Sequence, residues 1–133
     1  MAKILDIDKN SKVMDLATGS AAFLVAAMDL MVSDANNYFG KGTEQANKTI
    51  ARIKQTQLLG VEVDAKMYTL AATNMILRGD GSTLIKKADT FKTPADIYEN
   101  FKADLNNFLN ILINKMYKTK RSKYENRNIW WKF

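Results

Sequence analysis

Between Lys12 and Val32 the chain switches from an alternating apolar start (Val13, Leu16), through Ala17-Thr18-Gly19-Ser20, to a run from Ala21 rich in Ala, Leu and Met. That succession reads as strand, tight turn and helix. It recurs further along. Thr56–Val63 is a short apolar strand ending in acids, and Ala65–Arg78 places Met67, Leu70, Ala71, Met75 and Leu77 at helical spacing. Gly79 follows where a left-handed residue costs little and stops that helix. Leu84–Ala88 reads as a third strand, and Pro94 suits the first turn of a helix running to about Lys102. Between the first two units, Ser33–Gly42 breaks the periodicity with Asp34, Asn36, Asn37, Gly40 and Gly42, after which Thr43 and Glu44 open a polar helix to about Lys54. Strands alternating with helices imply parallel strands joined by right-handed crossovers. The fold class is therefore α/β, a partial Rossmann-like sheet of three parallel strands with flanking helices.

Composition removes several chemistries. With 133 residues, 47% of them hydrophobic, the chain is the size of one domain with one core. It has no cysteine and no histidine, so disulfides, thiolate or imidazole metal ligands, and every mechanism built on an imidazole base are excluded. No apolar run approaches the ~20 residues that cross a bilayer, and the first residues lack a signal-peptide pattern, so the expectation is a cytoplasmic protein without membrane contact. The net charge of +6 is local: residues 1–114 hold thirteen Lys/Arg and thirteen Asp/Glu, whereas residues 115–133 hold seven and one. A basic end carrying Trp130 and Trp131 can meet nucleic-acid phosphates and bases, or simply be a solvated end.

The first turn carries the most chemistry. A strand that ends in a glycine turn and opens a helix brings backbone N–H groups and the positive helix end to the carboxyl edge of the sheet, where a polar or anionic cofactor can sit. Gly19 is the one glycine here, with Ala21 and Ala22 beyond it, so the turn is not G-x-G-x-x-G and offers little room for a dinucleotide pyrophosphate. S-adenosylmethionine has no phosphate and needs less. Asp15 is placed to accept from its amine, with Ala17, Thr18, Gly19, Ser20 and Phe23 around it. The alternative is an ordinary strand-to-helix turn capped by Ser20.

The second and third strands end in similar polar groups. Gly60-Val61-Glu62-Val63-Asp64 puts carboxylates where nucleoside-binding sheets set an acid against ribose hydroxyls. With Glu62 and Asp64 on opposite sides of the strand, Glu62 takes the ribose and Asp64 caps the helix from Ala65; alternatively both are surface acids. After the third strand, Asp89 can accept from an adenine amino group and Phe91 can cover the ring, or the pair can be a helix cap and a core residue.

Together, Asp15–Leu24, Gly60–Asp64, Asn74-Met75-Ile76-Leu77-Arg78-Gly79-Asp80-Gly81 and Ala88–Phe91 resemble, in order and spacing over residues 12–104, the methyltransferases that modify adenine N6 in DNA. The likeness is to the modification subunit of type I restriction-modification systems in particular. The resemblance implies the S-adenosylmethionine-dependent methyltransferase fold, S-adenosylmethionine as cofactor, and DNA and other restriction-modification subunits as partners. The departures are Ala21, where a second glycine is usual, and the connection Ser33–Thr56. It also implies an N/D-P-P-F/Y segment after a fourth strand, and Pro94 is the chain's one proline, so these 133 residues do not contain that segment. The expectation is a truncated or frameshifted methyltransferase: residues 1–104 form the cofactor-binding half, residues 105–133 an atypical tail, and the chain is inactive alone. A sheet lacking the fourth strand leaves strand 1 as an edge, which predicts self-association or cover by Phe108–Tyr117.

Two other classes compete. A nucleic-acid-binding or regulatory fragment would use the basic, aromatic tail without catalysis. A nicotinamide-dependent oxidoreductase would need more glycine in the first turn than this chain has.

Overall fold

The computed structural model describes residues 6–79, 85–90, 92 and 101. Six elements follow in chain order: β1 (Val13–Asp15), α1 (Ala22–Phe39), α2 (Glu44–Thr56), β2 (Leu58–Glu62), α3 (Ala65–Leu77) and β3 (Ile85–Lys87). The strands form one sheet in the order β1-β2-β3, both pairings parallel. Asp15 stands opposite Gly60, and Glu62 opposite Lys87, so all three strands deliver their carboxyl ends to the same edge. The three-strand α/β reading holds. The expected helix from Pro94, the tail 105–133 and Phe91 lie outside the described residues.

β2 is central because its sequence can be. Leu58, Leu59, Gly60 and Val61 are all buried, as a strand covered on both faces requires, and only Glu62 emerges. Gln57, just before it, is 3% exposed and stitches the other end of the sheet: its backbone carbonyl accepts from Val13 N at 2.8 Å, and its side chain donates to the carbonyls of Lys9 and Ser11. The core joins Val13 and Leu58 of the sheet to Leu24, Ala27, Met28, Met31 and Ala35 of α1, Ile53 of α2, Ala71 and Met75 of α3, and Ile85 of β3.

α1 is longer than the sequence suggested. The helix was expected to end near Val32, but it runs 18 residues to Phe39 and stops at Gly40, whose φ is 87°. Ala35 carries the buried stripe of Met28 and Met31 past Ser33, and that burial outweighs the local preference of Asp34 and Asn36 for turns. Asp34 is used in tertiary contacts, since its Oδ2 accepts from the Lys9 amide at 3.0 Å and lies 3.4 Å from Lys9 Nζ. α2 opens as expected: Thr43 Oγ1 accepts from Ala46 N, and Ala46 and Ile53 face inward. α3 is capped by Asp64, whose carboxylate accepts from the amides of Lys66 and Met67, both at 2.9 Å.

β1 has β2 as its strand neighbour among the described residues. Its side chains are nevertheless buried, with Val13, Met14 and Asp15 no more than 4% exposed. At its start, Lys12 Nζ donates to the carbonyl of Phe101 at 3.3 Å, which places Phe101 beside this strand. No helix among the described residues is long and apolar enough to cross a membrane.

Candidate functional site

The site begins with a glycine whose neighbours leave no space for a side chain. A Cβ on Gly60 would lie 2.6 Å from Ile85 Cδ1, 2.6 Å from Thr18 Oγ1 and 2.9 Å from Leu24 Cδ1. The missing side chain lets the turn after β1 press onto β2, where Thr18 N donates to the Val61 carbonyl at 3.0 Å. Gly60 and Glu62 are two residues apart and share one face of the strand, so Glu62 comes up against the same turn. Its Oε2 accepts from Gly19 N at 2.7 Å and its Oε1 from Asp64 N at 2.9 Å. One carboxylate thus ties the first turn to the entrance of α3.

Within the turn, Asp15 is 1% exposed; its Oδ1 accepts from Ala17 N at 3.2 Å, and its carbonyl accepts from the buried Thr18 hydroxyl at 2.8 Å. Gly19 takes φ +58°, a left-handed conformation that its lack of a Cβ makes inexpensive. Ala21 takes φ 63° and ψ 16° and is the N-cap of α1. No side chain among the described residues caps that helix, and its first turn holds no acid. Capping by Ser20 is therefore not what the turn does. The first amides of α1 and the helix's positive end therefore lie at this turn. Phe23 is half-buried and packs against the core from this first turn.

Two more elements hold the turn. Asn74 of α3 donates through Nδ2 to the Ser20 carbonyl at 2.9 Å, and the Thr90 hydroxyl beyond β3 donates to the Leu16 carbonyl. Asp89 sits at the same edge with Lys92 Nζ 3.5 Å away. The Met67 methyl group lies 4.0 Å from the position a Gly19 Cβ would take, and Met67 is partly exposed there, giving the turn an apolar neighbour. Among the described residues, no group of acids is arranged to hold a metal ion.

The structure therefore brings Asp15, Ala17, Thr18, Gly19, Ser20, Phe23, Glu62 and Asp89 to one edge of the sheet. β2 ends at Glu62, so the capping geometry of α3 orients Asp64, and strand alternation does not. Three participants carried no assigned role in the sequence reading: Gly60, Asn74 and Met67. The first two lay inside quoted motifs, but what makes each matter is a partner distant in sequence.

Three parallel strands with flanking helices, the first strand ending in a glycine turn that an acid of the second strand grips, define an α/β domain of the Rossmann-like kind. The chain matches the N-6 DNA methylase family model over residues 1–133, and it belongs to that family. A curated relative, described as "Type II restriction enzyme and methyltransferase RM.BcgI" from Heyndrickxia coagulans, is 44% identical over 87 residues. That alignment takes in 65% of this chain and 12% of the relative, so the chain spans a small part of the length of the protein it matches. The relative's description is type II, whereas the sequence motifs suggested the type I subunit. No solved structure gives a significant match.

Proposed function

We propose that this edge binds S-adenosylmethionine and is the cofactor-holding part of an adenine-N6 DNA methyltransferase of a restriction-modification system. The observation that carries the reading is the arrangement around Gly19, where the Glu62 carboxylate and the uncapped start of α1 meet one turn. The donor set fits the cofactor. The opening amides of α1 suit the methionine carboxylate, and Asp15 suits the amine. Glu62 uses one acceptor site on each oxygen for backbone amides and keeps others for ribose hydroxyls. Asp89 suits the adenine amino group, and Phe91 is assigned to the ring face by sequence alone. A ligand without phosphate agrees with a turn that has one glycine.

When bound, S-adenosylmethionine supplies an electrophilic methyl group. The residues of this chain bind it, orient it and wall its apolar parts from water, and orientation is a large share of what such a transfer requires. The acceptor-holding N-P-P-F type segment is not among these 133 residues, so the proposal assigns no catalytic residue to them, and DNA and further subunits are partners of the complete system. Residues 1–104 are proposed as the cofactor-binding part.

Calorimetry of the full chain with S-adenosylmethionine and with NAD tests the reading. Binding of the first and not the second is expected. Glu62→Ala is expected to weaken binding by about 1–3 kcal/mol, the worth of a charged acceptor to hydroxyl groups. Unchanged affinity would remove Glu62 from the site.

A further inference from the structure

Asn74 and Ser20 are 54 residues apart, yet the Asn74 amide donates to the Ser20 carbonyl at 2.9 Å. That carbonyl belongs to the peptide unit joining Ser20 to Ala21, and Ala21 holds a left-handed conformation, φ 63°, that residues with a side chain rarely adopt. Alanine has no polar side chain to stabilise this locally, so the surroundings must hold it. The surroundings do so from both sides of one peptide. Its N–H, on Ala21, donates to the Thr18 carbonyl at 3.0 Å, and its C=O receives Asn74. A flip of that peptide would return Ala21 to negative φ, but it would break both bonds and change the direction in which α1 starts.

α3 has anchors other than Asn74. That helix is fixed by the Asp64 cap and by Ala71 and Met75 in the core, while the Asn74 bond goes past the helix partner to the turn itself. We propose that Asn74 is a positioning residue for the ligand of the first turn: it locks the Ser20–Ala21 peptide so that the opening amides of α1 face the anionic end of the bound molecule. The inference rests on the S-adenosylmethionine reading for the identity of that molecule, and on the hydrogen bond alone for the lock.

The test uses the full chain with Asn74→Asp, which keeps the shape but presents an acceptor to a carbonyl, and Asn74→Ala, which removes the donor. Affinity for S-adenosylmethionine is read by calorimetry, and the amide resonances of Gly19, Ala21 and Ala22 by NMR in the free protein. Both variants are expected to weaken binding about tenfold, the scale of one hydrogen bond plus an unmet carbonyl. They shift the turn resonances and leave those of Lys66 and Met67, at the Asp64 cap, in place. Adding Ala21→Gly to Asn74→Ala recovers most of the affinity, because glycine holds the left-handed conformation unaided. Affinity within twofold of wild type for Asn74→Asp overturns the proposal, as does displacement of the cap resonances with the turn unmoved. Failure of the wild-type chain to bind S-adenosylmethionine overturns the cofactor reading; unmoved turn resonances in Asn74→Asp then decide against the lock separately.

Discussion

Replacing Gly60 by alanine adds one methyl group at the point where three elements converge. The new Cβ would sit 2.6 Å from Ile85 Cδ1 and Thr18 Oγ1 and 2.9 Å from Leu24 Cδ1, all well inside ordinary van der Waals contact. Ile85 and Leu24 can turn away at the cost of packing. Thr18 has less freedom, because its hydroxyl donates to the Asp15 carbonyl and its amide to the Val61 carbonyl. Overpacking a filled core costs about 1–3 kcal/mol, and loss of the Thr18 hydroxyl bond adds about 1 kcal/mol. Removing glycine's backbone freedom from a strand returns about 0.5–1 kcal/mol. The balance is a loss of about 1–3.5 kcal/mol, together with a turn pushed off β2 and weaker S-adenosylmethionine binding. Urea unfolding followed by far-ultraviolet circular dichroism measures the first, and calorimetry the second. Gly42→Ala is the control: nothing lies within 4 Å of its Cβ, so its cost is confined to the left-handed backbone at φ +83°, about 1–2 kcal/mol. A Gly60→Ala protein as stable as wild type, with unchanged binding, would refute the claim that close approach at Gly60 builds the site.

Ala21→Gly should change stability by less than about 1 kcal/mol, because relief of about 1–2 kcal/mol of left-handed strain is offset by a lost buried methyl of about 0.8 kcal/mol and by glycine's backbone entropy; a loss above 2 kcal/mol in urea unfolding would contradict the balance. Asp8 has a pKa below its usual 3.8: partial burial opposes ionisation, but hydrogen bonds from the Ser11 hydroxyl and from the Asn10 and Ser11 amides, with the nearby Lys9 charge, outweigh it. A depressed folded pKa contributes stability that is fully present above the unfolded value and disappears as pH falls through the folded one. Wild type and Asp8→Asn should therefore differ in melting temperature near neutrality and converge below pH 3.8, and parallel curves through that range would count against the assignment.

The alternation of strands and helices was legible because burial imposes period on sequence, and the Asp64 and Thr43 caps were legible because capping is local chemistry. Glu62 was placed at the right edge by analogy of position. Its bond to Gly19 was not legible, since nothing in the neighbourhood of either residue encodes a partner 43 positions away. The same holds for Asn74, which in sequence is one of several polar residues of its helix, and for Gly60, which reads as a weak point in a strand. The extent of α1 was misread for the opposite reason. Ser33, Asp34 and Asn36 send a local signal for a break, and the burial of Met31 and Ala35 together with the tertiary use of Asp34 overrides it.

The bonds that shape the first turn come from residues 43, 54 and 74 positions further along the chain. Each closes a long loop, and the entropy of that closure has to be met before the contact returns anything. β1 and α1 carry the turn, but they do not contain the instructions to finish it; Glu62, Asn74 and Thr90 do. The turn is consequently complete only when β2, α3 and the segment after β3 are in place around it, and its shape is a property of the whole β-α-β array.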